Sequence, residues 1–335
     1  MAEQCLKQEE INPLEALSNM LDEDMRAVNK VILDHMQSPV ALIPQLASYL
    51  ITSGGKRIRP LLTLAATQIY NGDMQTAHKL AASVEFIHTA TLLHDDVVDE
   101  SLERRGKEAA NLIFGNQASV LVGDFLFSRA FELMTDSDNI DVLKILSNAS
   151  AIITQGEVLQ LTAANDINTS MDDYIEIITS KTAALFSAAC EVGPVLAGAP
   201  ADQVKAMYDY GLYLGIAFQI ADDALDYSSD RETIGKVVGD DFREGKMTAP
   251  VLFALKNAND EEHAFWTRTI ANNKQNDDDL KTAQKILAKH NCIQDSLSLA
   301  ENYSTKAQLA LEKIPDCPLR SLLNDLVPYT IFRKA

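Results

Sequence analysis

Two five-residue stretches of this chain carry three carboxylates each at one spacing: Asp95-Asp96-Val97-Val98-Asp99 and Asp222-Asp223-Ala224-Leu225-Asp226. Both lie in apolar, Ala- and Leu-rich surroundings that read as helix, so the first and last aspartate of each triplet, four apart, share a helical face. Like charges at that spacing cost roughly a few tenths of a kcal/mol in water and more where water is excluded, so such a claw persists when a cation neutralises it. Oxygen ligands suit a hard ion. Mg²⁺ is typically held by one or two carboxylates and shared with substrate phosphates, which points to diphosphate chemistry. One such motif alone also reads as a solvated helix end; two copies in apolar settings argue against that.

Basic residues stand where an anion would need them. Lys56, Arg57 and Arg59 occur in Gly54-Gly55-Lys56-Arg57-Ile58-Arg59-Pro60. The glycines let backbone approach an anion while Arg grips phosphate through parallel hydrogen bonds. Arg104-Arg105-Gly106 follows the first claw closely, and Lys181-Thr182, Gln219, Lys236 and Lys246 lie near or between the later acidic motifs.

The elements that must position these groups read as helices. Hydrophobic residues make up 47% of the 335 residues, enough for a substantial core, while 6% aromatics with only 14 Gly and 10 Pro favour long helices over many short strands. The expected fold class is all-α, a single large helical bundle, with residues 1–335 as one domain. Periodicity predicts helices over about 13–36, 41–53, 59–70, 74–100, 118–134, 140–163, 171–197 and 202–228, then shorter ones from 247 to 333. The polar stretch at about 229–246 reads as a loop long enough to be a lid. Each claw falls at the C-terminal end of its helix. If the two helices run the same way, both claws lie at one end of the bundle.

A net charge of −19 argues against nucleic acid or an anionic membrane face as partner. A bound diphosphate must then be attracted by metal ions and local basic groups. Cys5, Cys190, Cys292 and Cys317 show no paired spacing, so reduced thiols of a cytoplasmic protein are expected. MAEQCLKQEE has no secretory pattern, and no membrane span is expected.

Taken in order, GGKRIRP, HDDVVDESLERRG, KT, FQIADDALDY and GKVVGDDFREGKMTAP resemble the trans-isoprenyl diphosphate synthases, the polyprenyl synthetase family, over about residues 40–260. HDDVVDES with FGNQASVLVGDFLFSRAFELM is most similar to its long-chain octaprenyl and decaprenyl members. The resemblance implies a homodimeric, isoprenoid-synthase-type bundle around a central apolar tunnel. It also implies Mg²⁺-dependent condensation of isopentenyl diphosphate onto an allylic diphosphate, farnesyl diphosphate being the expected primer. By motif, Asp95, Asp99 and Asp222 would ligate three Mg²⁺ ions, supported by Asp96, Asp223 and Asp226. Arg104, Lys181, Gln219, Lys236 and Lys246 would contact the allylic diphosphate. Lys56, Arg59, His88 and Arg105 would hold isopentenyl diphosphate, with Thr182 beside the reacting carbon. The product would be an octaprenyl to decaprenyl diphosphate serving a respiratory quinone side chain. A shorter-chain synthase and a non-catalytic subunit are the alternatives within the fold.

Helix geometry adds an expectation about chain length. Positions four and five before Asp95, Thr91 and Ala90, lie about 6–8 Å deeper than the diphosphates. Shorter-product members of the family tend to carry an aromatic there; the small residues leave the tunnel open. Phe131 and Met134 are the candidates for its floor.

Overall fold

The computed structural model describes residues 12–52, 55–104, 106–227 and 238–332. In chain order its helices are α1 Pro13–Met20, α2 Asp22–His35, α3 Leu42–Thr52, α4 Ile58–Ile69 and α5 Met74–Val98. A two-stranded antiparallel hairpin follows, β1 Glu103–Arg104 with β2 Lys107–Glu108. Then come α6 Ala110–Phe114, α7 Asn116–Thr135, α8 Ile140–Ala163, α9 Met171–Ile178, a π-helical turn Thr179–Ala183, α10 Ala184–Leu196 and α11 Ala201–Asp226. The last are α12 Asp240–Arg243, α13 Ala249–Asn257, α14 Asp260–Trp266, α15 Asp279–Lys289, α16 Cys292–Leu311 and α17 Pro318–Phe332. The all-α expectation holds, the hairpin being the one sheet among the described residues.

The α5 helix starts at Asp73, whose carboxylate accepts from the backbone of Gln75 and Thr76 at 3.1 and 3.2 Å. This satisfies donors that a helix start leaves orphaned. Its buried residues, among them Leu80, Phe86, Ile87 and Leu93, occupy several faces rather than one stripe, as in a helix enclosed by others. Each such side chain contributes about 1.5–3 kcal/mol on burial. A large core joins α1, α2, α4, α5, α7, α8 and α10, and a second joins α9, α11, α13 and the C-terminal helices. No helix among the described residues is long and apolar enough to cross a membrane.

Two expected helices are each divided. The periodicity from 13 to 36 breaks at Leu21, because Asp22, Glu23 and Asp24 open a fresh first turn where acidic side chains meet the positive end of a helix. The span from 171 to 197 is interrupted by the π-turn. The hairpin around Gly106, whose φ is 74°, stands where the sequence shows only a basic run. The region expected as a lid is described only from 238, where it includes the short α12.

Candidate active site

The α5 and α11 helices bring their C-terminal ends to one cleft. Asp95 and Asp99 from the first claw, and Asp222, Asp223 and Asp226 from the second, line a cavity of about 480 Å³ together with Arg59, His88, Thr91, Glu157, Lys181, Thr182, Gln219 and Lys246. A helix C-terminus carries partial negative charge, so it adds to the repulsion among these carboxylates instead of relieving it. Lys246 ties the first claw to the segment after α11: its ammonium is 3.3 Å from Asp99 and 3.9 Å from Asp241, and it also pairs with Glu244.

The π-turn delivers Lys181 and Thr182. It can sit there because two glycines make room. A Cβ on Gly156 of α8 would lie 2.7 Å from the Lys181 nitrogen, and one on Gly215 of α11 would lie 2.6 Å from the Ala183 Cα. Single π-turns of this kind often mark functional positions. Lys181 then donates to Glu157 at 2.7 Å and stands 3.9 Å from Asp95. Thr182 donates to Gln219 Oε1 at 2.8 Å, and Gln219 Nε2 donates to Asp223 at 2.7 Å. The other Asp223 oxygen accepts from Tyr174 at 2.6 Å.

Asp96 departs from the expected metal set. It is 1% exposed and accepts from Arg104 Nε and Nη2 at 2.8 and 2.6 Å. Lying next to Asp95 on the helix, it faces a neighbouring pocket lined by Phe86, Leu126 and Arg57 instead of the cleft. Arg104 lines both spaces. Asp226, 4% exposed, accepts from the Asp241 backbone at 3.2 Å and so fixes the start of α12.

Burial pushes the Asp95 carboxyl up to about 7, with Lys181 opposing the rise and Glu157 and Asp99 adding to it. Burial likewise lifts Asp223 to about 7 against the hydrogen bonds from Tyr174 and Gln219. Asp241 is raised well above the carboxylate range, by burial first and then by Asp223 and Asp226. For Lys246, burial works against the charge, yet Asp241, Asp99 and Glu244 outweigh it and its pKa is raised. The site holds more negative charge than its own lysines and arginines neutralise comfortably.

Among the described residues, no three acidic, His or Cys side chains converge into a ready-made metal cage. Mg²⁺ is a hard ion that retains waters and takes much of its shell from substrate phosphate. The all-oxygen donors of Asp95, Asp99 and Asp222 suit the same hard ion.

Of the remaining sequence candidates, Arg59 and His88 line the cleft, and the Arg59 guanidinium lies 4.4 Å from the Phe186 ring centre. Lys56 does not line it; its ammonium is 6.0 Å from the Tyr329 ring. Arg105 and Lys236 lie outside the described residues. Thr91 lines the cleft, whereas Ala90 is fully buried on a different face of α5. Ser83, Ala90 and His94 share that face, and Ser83 and His94 both bond to backbone carbonyls of α7. Phe131 is 42% exposed and corrects the expectation of a tunnel floor: its position on α7 points it out of the bundle. Met134, three residues on, is fully buried. Sequence reading missed Glu157, Tyr174 and Asp241. Asp241 sat in a quoted motif, but no spacing links Glu157 or Tyr174 to the claws.

A sequence profile of the polyprenyl synthetase family matches residues 40–287. The chain is 43% identical to the octaprenyl diphosphate synthase of Escherichia coli (strain K12), over 96% of this chain and 99% of that protein. A crystal structure of a decaprenyl diphosphate synthase from Rhodobacter capsulatus superimposes with a TM-score of 0.92 at 52% identity, covering 96% of this chain and 100% of that one. A polyprenyl synthase from Caulobacter crescentus CB15, solved with calcium and isoprenyl diphosphate, gives a TM-score of 0.94 at 49% identity, covering 97% and 99%. With its paired carboxylate claws facing one cleft, the chain belongs to the polyprenyl synthetase family and is a prenyltransferase.

Proposed function

We propose that the protein is a long-chain trans-polyprenyl diphosphate synthase, adding isopentenyl diphosphate repeatedly to an allylic primer, farnesyl diphosphate, to give octaprenyl to decaprenyl diphosphate. The observation that carries this reading is the facing of the two claws across one cleft whose walls hold Arg59, Arg104, Lys181 and Lys246. Octaprenyl and decaprenyl synthases among its relatives support the product class. The calcium and isoprenyl diphosphate in the Caulobacter structure support binding of a divalent ion and a prenyl diphosphate.

Bound Mg²⁺ ions, three in the proposed complex, would offset the charge that builds on the departing diphosphate. Asp95, Asp99 and Asp222 would hold them. Lys181 and Lys246 lie within reach of the same anion, and Arg104 would join them by releasing Asp96. Arg59 and His88 would orient isopentenyl diphosphate so that its double bond faces the allylic carbon, with Thr182 alongside. The departing diphosphate would take the proton lost in the last step, so no protein base is assigned.

The protein is proposed to work as one domain and as a homodimer in the cytoplasm, its product supplying a respiratory quinone side chain. Leu112 and Ile113 of α6, Leu121 and Phe131 of α7 and Val158 of α8 are all at least 42% exposed, an apolar set that a second copy would cover.

Incubation of the purified protein with radiolabelled isopentenyl diphosphate, farnesyl diphosphate and Mg²⁺, followed by chromatography of the dephosphorylated products, tests the reading. Label in C40 to C50 alcohols is expected. Label confined to C15 or C20 would favour the shorter-chain alternative, and no incorporation would overturn the assignment.

A further inference from the structure

Tyr174 lies outside the cleft and yet is bonded to its wall. Its ring is 2% exposed within the second core, and its hydroxyl donates to Asp223 at 2.6 Å. Behind the wall is a second cavity of about 90 Å³, lined by Tyr174, Ile177, Met247 and Thr248. Six residues line both spaces: Lys181, Thr182, Gln219, Asp223, Asp241 and Lys246. These six side chains thus border open volume in both spaces, where hydrogen bonds help to fix their orientation.

We infer that Tyr174 is a positioning residue for the reaction, anchoring a hydrogen-bonded chain from Tyr174 through Asp223 and Gln219 to Thr182. The inference rests on the proposed synthase reading. The chain has a fixed polarity. The Tyr174 hydroxyl donates to one Asp223 oxygen and the Gln219 amide donates to the other. Gln219 is left presenting its oxygen, which takes the hydroxyl hydrogen of Thr182. Thr182 then turns lone pairs, not its hydrogen, toward the cleft, the orientation that suits an electron-poor allylic carbon beside it. Without Tyr174, one Asp223 oxygen loses this donor, Asp223 and Gln219 can turn into the rear cavity, and Thr182 is no longer oriented.

The Tyr174→Phe variant removes one oxygen and keeps the ring. Steady-state rates with both substrates are compared with calorimetric binding of farnesyl S-thiolodiphosphate, an unreactive allylic probe, in the presence of Mg²⁺. The expected result is a kcat lower by roughly 10- to 100-fold, as for other supporting hydrogen bonds around a reactive site. The probe's Kd should rise, while KM for isopentenyl diphosphate stays unchanged, since Arg59 and His88 are not part of the chain. The double variant Tyr174→Phe with Thr182→Val should be no slower than Thr182→Val alone. An unchanged kcat with only a lower Tm would overturn the inference, as would multiplicative losses in the double variant. Should Tyr174→Phe fail to fold, Asp223→Asn reads the same chain from its middle, and wild-type kcat in that variant overturns it too. If the unmodified protein incorporates no isopentenyl diphosphate, the synthase reading itself fails; if it does and Tyr174→Phe matches it, only this inference does.

Discussion

The ammonium of Lys181 lies 2.7 Å from Glu157 and 3.9 Å from Asp95, so a carboxylate outside either claw holds the lysine off the first claw. Glu157 sits one residue beyond the glycine that admits the π-turn, and both come from α8. Replacing Glu157 with Gln would release Lys181 toward Asp95, where it competes with a divalent ion. The Mg²⁺ concentration for half-maximal activity should rise about 2- to 5-fold, the equivalent of a partly exposed ion pair worth ~0.5–1 kcal/mol. A Mg²⁺ titration of the variant that overlays the wild type would remove this role.

Activity and stability should part company at the claws. Asp95→Ala or Asp222→Ala is expected to lower kcat by roughly 10²- to 10³-fold, the scale of losing one preorganised electrostatic contact. Asp95 is already disfavoured in its charged form, with burial lifting it to about 7. The metal-free Asp95→Ala protein should therefore melt no lower than wild type near neutral pH. A clear fall in Tm on differential scanning would show that the carboxylate stabilises the fold.

The same shift gives metal-free stability a definite pH dependence. Asp95 and Asp223 titrate near 7 in the folded chain but near the ordinary aspartate value of 3.8 when unfolded. Between those values the folded state holds protons that the unfolded state has released, so stability falls as pH rises from about 4 to about 7 and then levels. Divalent ions bind the deprotonated form, so Mg²⁺ should raise Tm more at pH 8 than at pH 6. Melting curves with EDTA and with Mg²⁺ at both pH values check the sign; an equal gain at both would contradict it.

Chain length should respond differently at adjacent positions. Thr91 lines the cleft, so Thr91→Phe places a ring in the space a growing chain needs and should shorten the product to about C15–C20 without large loss of stability. Ala90 is fully buried on the face that meets α7. Ala90→Phe can shorten the product only by displacing that helix, with a stability cost of about 1–3 kcal/mol. Product chromatography and melting of both variants separate the two, and unchanged products from Thr91→Phe would take that residue out of the tunnel.

Gly156→Ala tests the socket of the π-turn. Its added methyl would lie 2.7 Å from both the Lys181 nitrogen and Ser180 Cβ, contacts that force the turn to move. A loss of kcat/KM of about 10-fold or more is expected, because a misplacement of ~1 Å at a reacting centre can cost 10²-fold. Full activity in this variant would mean that the turn tolerates displacement.

The sequence by itself determined the helical class, the two claws and the basic motifs, because these are local properties: apolar periodicity, and carboxylates or cations at fixed spacing along one helix. It placed the claws correctly at the ends of α5 and α11. Only the tertiary structure decided which way each side chain points and what stands behind it. Asp96 turns to Arg104 on the hairpin eight residues further on, and Tyr174 reaches Asp223 across 49. Phe131 emerges on the outside of α7 although the sequence around it reads as core. The π-turn that positions Lys181 and Thr182 depends on glycines in two other helices, and no local pattern records it. Such relationships arise when helices pack at close range, where the absence of one Cβ or the position of one hydroxyl sets the geometry, and spacing along the chain carries no trace of either.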